Sequence, residues 1–172
     1  TSASSRAFRD GAARSAGSEA PMTDALSVFA AAREAPRATA LRHSDRSFRF
    51  DELADLVNDR LRALPELASA PRPFALVGTN SLDAVLTVYA LLERCIPVLL
   101  LHPRATAEEQ AAEIGAAARH DLGSIADPAA ILYTSGTTGH PRGAVLTRSA
   151  LIASAAASAA NLGWRRDDCW LL

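Results

Sequence analysis

Two kinds of hydrophobic pattern alternate along this chain. Segments with the spacing or the start signals of helices cover residues 23–35, 51–64, 81–94, 106–119 and 149–160. Short uninterrupted apolar runs, which are typical of buried strands, occupy residues 74–77, 96–101, 129–133 and 143–146. From residue 74 onward strands and helices alternate. This order predicts an α/β fold with right-handed crossovers and a parallel sheet with flanking helices.

Polar residues that cap helices mark where several helices begin. Thr23 or Asp24 is the predicted cap of the first helix, and Asp51 is the predicted cap of the second. Thr106 and Glu109 have the Thr-x-x-Glu spacing of a capping box. Between the first two helices, residues 38–43 and 47–50 flank a polar turn and predict a hairpin.

The two ends of the chain differ from its middle. Residues 168–172 predict the start of a further strand, with no turn, cap or charged tail after it. An apolar terminal strand has nothing to cover it, so we expect an incomplete sheet that belongs to a larger domain. Residues 1–21 are rich in Ser, Ala, Gly and Arg and predict a disordered leader, which leaves residues 22–172 as the domain part. Met22 is a candidate natural start.

Composition excludes several classes of function. The 172 residues include 18 arginines, no lysine and 19 acidic residues, for a formal net charge of −1. A nucleic-acid or anionic-membrane partner is not expected, because such partners require clustered basic charge. Cys95 and Cys169 lie far apart without the spacing of a zinc site, and we expect both to be small core residues in a reducing compartment.

No segment predicts a membrane anchor or a secretory signal. The longest apolar stretches, residues 85–92 and 96–101, are far shorter than the ~20 residues that cross a bilayer. A cationic start followed by an apolar run is missing as well. We therefore expect a soluble, cytoplasmic chain without stable membrane insertion. Its histidines share no ligand spacing and are interpreted as loop or surface residues: His43, His102, His120 and His140.

One segment carries strong chemical information. Residues 133–143 read Tyr-Thr-Ser-Gly-Thr-Thr-Gly-His-Pro-Arg-Gly and connect two predicted strands. Glycines allow the backbone to approach a ligand so that successive N–H groups point into one concavity, and hydroxyls add further donors. Arg142 supplies a cation that offsets phosphate charge. The lysine of a P-loop is absent, and the segment leads into an apolar strand rather than directly into a helix. The pattern predicts a phosphate-binding loop.

This segment resembles the signature of the adenylate-forming superfamily, which includes acyl-CoA synthetases, luciferases and peptide-synthetase adenylation domains. The signature usually has lysine where Arg142 stands, and arginine keeps the charge. Weaker similarity extends from residue 23 to residue 172. Within the superfamily, residues 156–172 resemble the o-succinylbenzoate–CoA ligase branch, which acts in menaquinone synthesis. The resemblance implies that the chain is a partial N-terminal domain of the adenylate-forming fold.

The resemblance also implies an activity and a set of ligands. Such enzymes activate a carboxylic acid with Mg-ATP to an acyl-adenylate, release pyrophosphate and transfer the acyl group to a thiol, commonly that of coenzyme A. Thr134 would help to hold Mg²⁺, and Arg142 would steady the loop or the leaving pyrophosphate. Gly143 closes the signature. The residues that would cradle the β- and γ-phosphates are Ser135, Gly136, Thr137, Thr138 and Gly139.

Several parts of the family pattern are absent from this sequence. The adenine-binding segment, the ribose-binding aspartate and the C-terminal lysine do not occur, and no catalytic residue is assigned. We therefore expect no adenylation by the chain alone. Two alternatives stay open, namely another adenylate-forming enzyme and a non-catalytic nucleotide-binding remnant of a decayed gene. Exposed sheet edges also leave open a homo-oligomer.

Overall fold

The structure, a computed structural model, describes residues 24–64, 73–134, 142–165 and 168. The predicted leader (residues 1–21) and most of the predicted terminal strand lie outside the described residues. Short 3₁₀ turns cover Asp24–Leu26 and Leu122–Ser124. The helices are α1 (Val28–Glu34), α2 (Phe50–Ala63), α3 (Leu82–Glu93), α4 (Ala107–Ala117) and α5 (Arg148–Leu162). The strands are β1 (Thr39–His43), β2 (Arg46–Arg49), β3 (Phe74–Val77), β4 (Val98–Leu101), β5 (Pro128–Thr134) and β6 (Arg142–Thr147).

The predicted cap of the first helix, Thr23 or Asp24, is wrong, and Thr23 itself lies outside the described residues. Asp24 lies in a 3₁₀ turn, and α1 begins after Ser27, whose hydroxyl accepts a hydrogen bond from the Ala30 N–H at 3.0 Å. The same hydroxyl donates to Glu93 at the end of α3, at 3.0 Å. Ser27 therefore satisfies a first-turn N–H and also ties α1 to α3, a tertiary contact that local capping signals do not reveal.

The second helix also begins earlier than predicted. It starts at Phe50, so Asp51 lies inside the first turn, where its carboxylate accepts the Glu52 N–H at 2.9 Å. The Arg49 N–H donates to the Glu52 carboxylate at 2.8 Å. The predicted cap at Asp51 is therefore wrong, because Arg49 occupies the N-cap position. Asp51 still stabilises the helix start, since acidic side chains in a first turn interact favourably with the positive end of the helix dipole.

The predicted capping box at the start of α4 is confirmed. The Glu109 N–H donates to the Thr106 hydroxyl at 3.2 Å, and the Thr106 N–H donates to the Glu109 carboxylate at 2.7 Å. Hydrogen bonding by the Thr106 N–H, and secondarily by its side chain, favours the charged carboxylate and lowers the pKa of Glu109. α4 is thereby held at its N-terminus by a local, sequence-encoded pair.

Removing this cap is expected to weaken the domain measurably. Thr106→Ala should lower the free energy of unfolding by about 1 kcal/mol, because the Glu109 N–H loses its acceptor. Urea denaturation monitored by far-ultraviolet circular dichroism measures the change. Thr106→Ser keeps a hydroxyl and should retain most of the stability, whereas equal losses in the two variants would contradict a capping role.

The main sheet has four strands in the order β3-β4-β5-β6. The pairs β3–β4 and β4–β5 are parallel, as predicted, with Val77 beside Leu101 and Leu100 beside Leu132. β6 differs because it runs antiparallel to β5. Residues 135–141, which link β5 to β6, are fewer than the dozen or so that a parallel crossover requires, so the chain returns as a hairpin. A separate antiparallel hairpin joins β1 and β2.

Helices cover both faces of the main sheet. On one face, Leu91 of α3 and Ile96 pack against Val98 and Ala130. On the other face, a cluster beneath α4 is formed by Leu99, Leu101, Ala117, Leu122 and Ile131. Alternate residues of β4 thus enter opposite clusters, which explains its uninterrupted apolar sequence. A third cluster packs α1, α2 and α3 together through Val28, Leu53, Val57, Leu86 and Ala90.

Cys95 is exposed and does not belong to the core, contrary to the prediction from its apolar neighbours. It has a φ of 53° in the turn between α3 and β4. The left-handed turn reverses the chain and directs this position away from the cluster that its neighbour Ile96 enters. Cys169 lies outside the described residues.

The described helices are all too short or too polar to serve as a transmembrane span.

Candidate functional site

The candidate site lies where the parallel strands end. β3, β4 and β5 end at Val77, Leu101 and Thr134, and parallel pairing brings these carboxyl ends to one edge of the sheet. The chain turn after β3 is held against this edge, because the Gly78 N–H donates to the Leu101 carbonyl at 2.9 Å. In open α/β sheets ligands bind at this edge, so the fold agrees with the position of the sequence motif.

The β5–β6 hairpin brings both ends of the predicted phosphate loop together. Thr134 pairs with Arg142, and Tyr133 pairs with Gly143 in the ladder. The structure therefore places the predicted site residues Thr134, Arg142 and Gly143 at adjacent strand ends. The other predicted site residues lie outside the described residues: Ser135, Gly136, Thr137, Thr138 and Gly139.

Gly143 is closely packed on one side. A Cβ built on Gly143 would stand 3.1 Å from Cζ and 3.3 Å from Cε1 of the Tyr133 ring, and 3.2 Å from Nε2 of His120. His120 was interpreted from sequence as a surface or loop residue. It is exposed, but its ring also lies beside the base of the candidate loop. No sequence signal identifies this neighbour, since it arrives from the end of α4 through the tertiary fold.

The surroundings of Tyr133 favour its neutral form. Burial raises the pKa of its phenol above the ordinary value, nearby Glu113 raises it further, and Arg119 acts in the opposite direction. Its hydroxyl oxygen is shielded from solvent and has no hydrogen-bond partner among the described residues. Burial also raises the pKa of Tyr89, which lies on α3 far from the loop in sequence.

The tyrosines provide a direct test of this packing. The chain has 2 tyrosines, and in the folded state both should ionise above the ordinary value of about 10. Because the pKa of each tyrosine is raised in the folded state, each neutral phenol makes its full contribution to the free energy of unfolding below the unfolded pKa. That contribution is lost as pH rises through the folded pKa. Difference absorbance of tyrosinate in the native chain and in Tyr133→Phe measures each group. Ionisation of Tyr133 at or below its unfolded pKa would contradict the described burial.

Other polar groups border the same edge of the sheet. The Thr79 and Ser81 hydroxyls lie 2.9 Å apart after β3, and Ser81 caps α3 by accepting the Ala84 N–H at 3.2 Å. His102 follows β4, where its Nδ1 accepts the Arg104 N–H at 3.1 Å. Sequence reasoning gave these residues no role, and their described hydrogen bonds are local.

A metal ion and a phosphate group require different protein ligands at this site. In the part of the chain that the structure describes, no group of three or more His, Cys, Asp or Glu side chains could hold a metal ion. Mg²⁺ binds ATP mainly through phosphate oxygens and needs only one or two protein ligands. The Arg142 guanidinium at the base of the loop matches phosphate geometry. Arg142 is therefore the candidate phosphate contact among the described residues of the motif.

The sequence comparisons find similarity to one enzyme family over the C-terminal third of the chain. The model of the AMP-binding enzyme family matches residues 113–172, which contain β5, β6, α5 and the entire loop motif. A 2-succinylbenzoate–CoA ligase from Bacillus cytotoxicus is 56% identical over 48 residues, which make up 28% of this chain and 10% of that ligase.

Solved structures share the fold over most of this chain. The o-succinylbenzoate CoA synthetase from Bacillus subtilis, in complex with the acyl-adenylate intermediate OSB-AMP, superimposes with a TM-score of 0.74 and 21% identity over 84% of this chain. The same synthetase in complex with ATP and magnesium gives a TM-score of 0.69 and 20% identity over 80% of this chain. The chain spans about half of these proteins, with 48% and 47% of their chains covered.

Proposed function

We propose that the chain is a member of the AMP-binding (adenylate-forming) family, whose model matches residues 113–172, and that it is the N-terminal part of an ATP-dependent carboxylic acid–CoA ligase. The β5–β6 hairpin is the observation that carries this proposal. It sets Thr134 beside Arg142 at the carboxyl end of an inner strand, with the Ser/Thr/Gly sequence between them. Residues 22–172 are proposed as the N-terminal part of the AMP-binding domain and residues 1–21 as a leader.

The proposed reaction has two steps. A carboxylate oxygen of the acid attacks the α-phosphorus of ATP, the bond to the bridging oxygen breaks, and pyrophosphate leaves with that oxygen. The acyl-adenylate then transfers its acyl group to the thiol of coenzyme A and releases AMP. Because ATP and coenzyme A are cytoplasmic metabolites, the proposal includes a cytoplasmic enzyme.

The loop acts on the leaving group in this mechanism. Ser135, Gly136, Thr137, Thr138 and Gly139 would donate hydrogen bonds to the β- and γ-phosphates, and the Thr134 hydroxyl would supply one ligand to Mg²⁺. The Arg142 guanidinium offsets the negative charge that accumulates on pyrophosphate. Holding these phosphates orients the α-phosphorus for in-line attack and stabilises the departing charge.

For the acid we propose o-succinylbenzoate, and hence a step of menaquinone synthesis. The support is the name of the bacterial ligase that shares 56% identity over the aligned segment, together with the same specificity named for the structural relative. The chain spans about half of that structural relative. The remaining adenine-, ribose- and acid-binding parts are proposed to follow residue 172 in the native gene.

Pyrophosphate exchange into ATP tests the proposal. The isolated chain should give no acid-dependent exchange, because it lacks the family's adenine-binding segment and C-terminal lysine. The product of the complete native reading frame should exchange with o-succinylbenzoate at least about 10-fold faster than with benzoate, which lacks the succinyl arm.

Each component of the proposal can fail separately. Exchange by the isolated chain would overturn its assignment as an inactive part of the enzyme. Exchange by the complete product with a different acid would replace o-succinylbenzoate and support a sister adenylate-forming enzyme. A native reading frame that stops after Leu172 would replace catalysis by nucleotide binding alone.

A further inference from the structure

Gly143 is the second residue of β6, an edge strand of the described sheet. Glycine weakens a strand because it adds no side-chain packing and loses more backbone entropy than alanine on folding. Its φ does not lie in the left-handed region, and Gly163 is the only described glycine that does. Backbone conformation therefore does not explain glycine at this position.

Steric packing around residue 143 explains the glycine instead. The hydroxyl-bearing end of the Tyr133 ring and the Nε2 edge of His120 converge on the point where a Cβ would stand, at 3.1 Å and 3.2 Å. Tyr133 lies directly across the ladder from Gly143, so its ring covers the backbone of the edge strand. Such cross-strand coverage of a glycine by an aromatic ring compensates for the missing side chain.

His120 is held in place by hydrogen bonds to two residues of the core. The His120 N–H donates to the Ala117 carbonyl at 3.1 Å, and the His120 carbonyl accepts the Leu122 N–H at 3.0 Å. Ala117 and Leu122 are both buried beneath the sheet. The His120 ring therefore approaches Gly143 from a turn whose position the core sets.

We propose that Tyr133, Gly143 and His120 form a clamp that fixes the two ends of the phosphate loop relative to each other. The loop leaves the sheet one residue after Tyr133 and returns one residue before Gly143, at the paired residues Thr134 and Arg142. The clamp residues are positioning residues, because they act through the loop and not on the phosphates. The clamp rests on the proposed function only for its expected effect on the affinity for Mg-pyrophosphate.

Gly143→Ala in the whole chain tests the clamp. Hydrogen exchange in residues 128–147 should accelerate about 10-fold, because the added Cβ forces the Tyr133 or His120 ring to shift by a few tenths of an ångström, while β3 and β4 keep their protection. The affinity for Mg-pyrophosphate should fall in parallel. Gly115→Ala is the matched control, since its Cβ meets only the Arg119 guanidinium at 3.8 Å, an ordinary contact.

Two further variants separate the clamp from general destabilisation. Gly143→Ala combined with His120→Ala opens space for the displaced ring and should restore part of the lost protection. Tyr133→Phe keeps the ring and should preserve the slow exchange, whereas Tyr133→Ala should lose it. These results would support a steric clamp at the base of the loop.

Three results would overturn the clamp: unchanged exchange in Gly143→Ala, uniform acceleration across all strands, or no recovery in the double variant. Failure of the native chain to bind Mg-pyrophosphate, with the expected exchange pattern, would instead support the clamp and contradict the proposed function.

Discussion

Replacing Leu99 by alanine should lower the free energy of unfolding by about 3 kcal/mol, within the range of about 2–5 kcal/mol that buried leucines show. Leu99 is 0% exposed in the inner strand β4 and packs in the cluster beneath α4. The variant loses the transfer free energy of the removed atoms and also leaves a cavity, because α4 and the strands relax only partly. Domains are stable by only about 5–15 kcal/mol, so the effect is large.

Urea denaturation measures this change, and Leu162→Ala is its control. Leu162 is 57% exposed in the last turn of α5, so its truncation should change the stability by no more than about 0.5 kcal/mol. Similar losses for the two leucines would contradict the described core. A Leu99→Ala loss below about 1 kcal/mol would do the same.

Replacing Arg142 by alanine should weaken binding of Mg-ATP about 10- to 100-fold, because a charge-assisted hydrogen bond to phosphate contributes about 1.5–3 kcal/mol. Arg142 is exposed at the start of β6 and pairs in the ladder with Thr134. Its backbone stays in the sheet after the substitution, so the effect should appear in the affinity and not in the fold. Titration calorimetry with Mg-ATP measures the affinity.

Two variants control this experiment. Arg142→Lys keeps the positive charge at the position where the family signature usually has lysine, and it should bind within about 10-fold of the native chain. Arg46→Ala removes another exposed arginine from the separate β1–β2 hairpin and should leave the affinity unchanged. Equal weakening by Arg142→Ala and Arg46→Ala would show that net charge, and not the loop, controls binding.

The strands were predictable because their signal is local. Apolar runs at residues 74–77, 96–101, 129–133 and 143–146 correspond to β3–β6, with boundaries displaced by no more than two residues. The Thr106–Glu109 box was equally predictable, since both partners lie within one turn. The direction of β6 could have been derived from the length of the linking segment alone, because so few residues cannot form a crossover.

The wrong predictions concern residues whose surroundings are determined by tertiary contacts. Ser27 caps α1 in part because Glu93 accepts its hydroxyl, a partner 66 positions away. Cys95 follows an apolar helix but lies in a left-handed turn that exposes it. His120 approaches Gly143 only after α4 has packed on the sheet. Spacing within the sequence carries no information about these contacts.

In the candidate site, too, local features were predictable from the sequence and tertiary contacts were not. The composition of residues 133–143 predicted a phosphate loop between two strands, and the structure brings Thr134, Arg142 and Gly143 together at the strand ends. The packing at the base of the loop was not predictable, because it depends on the positions of Tyr133 and His120 in space. The phosphate-binding roles stay predictions.

The loop at residues 133–143 is proposed to bind the phosphates of ATP. The most direct test is hydrogen exchange in residues 133–143 of the folded chain with Mg-ATP, Mg-pyrophosphate or adenosine added separately. Because the adenine- and ribose-binding parts are proposed to follow residue 172, Mg-ATP and Mg-pyrophosphate should protect this segment to a similar extent and adenosine should not protect it. Equal protection by adenosine, or no protection by Mg-pyrophosphate while β3 and β4 stay protected, would contradict the claim.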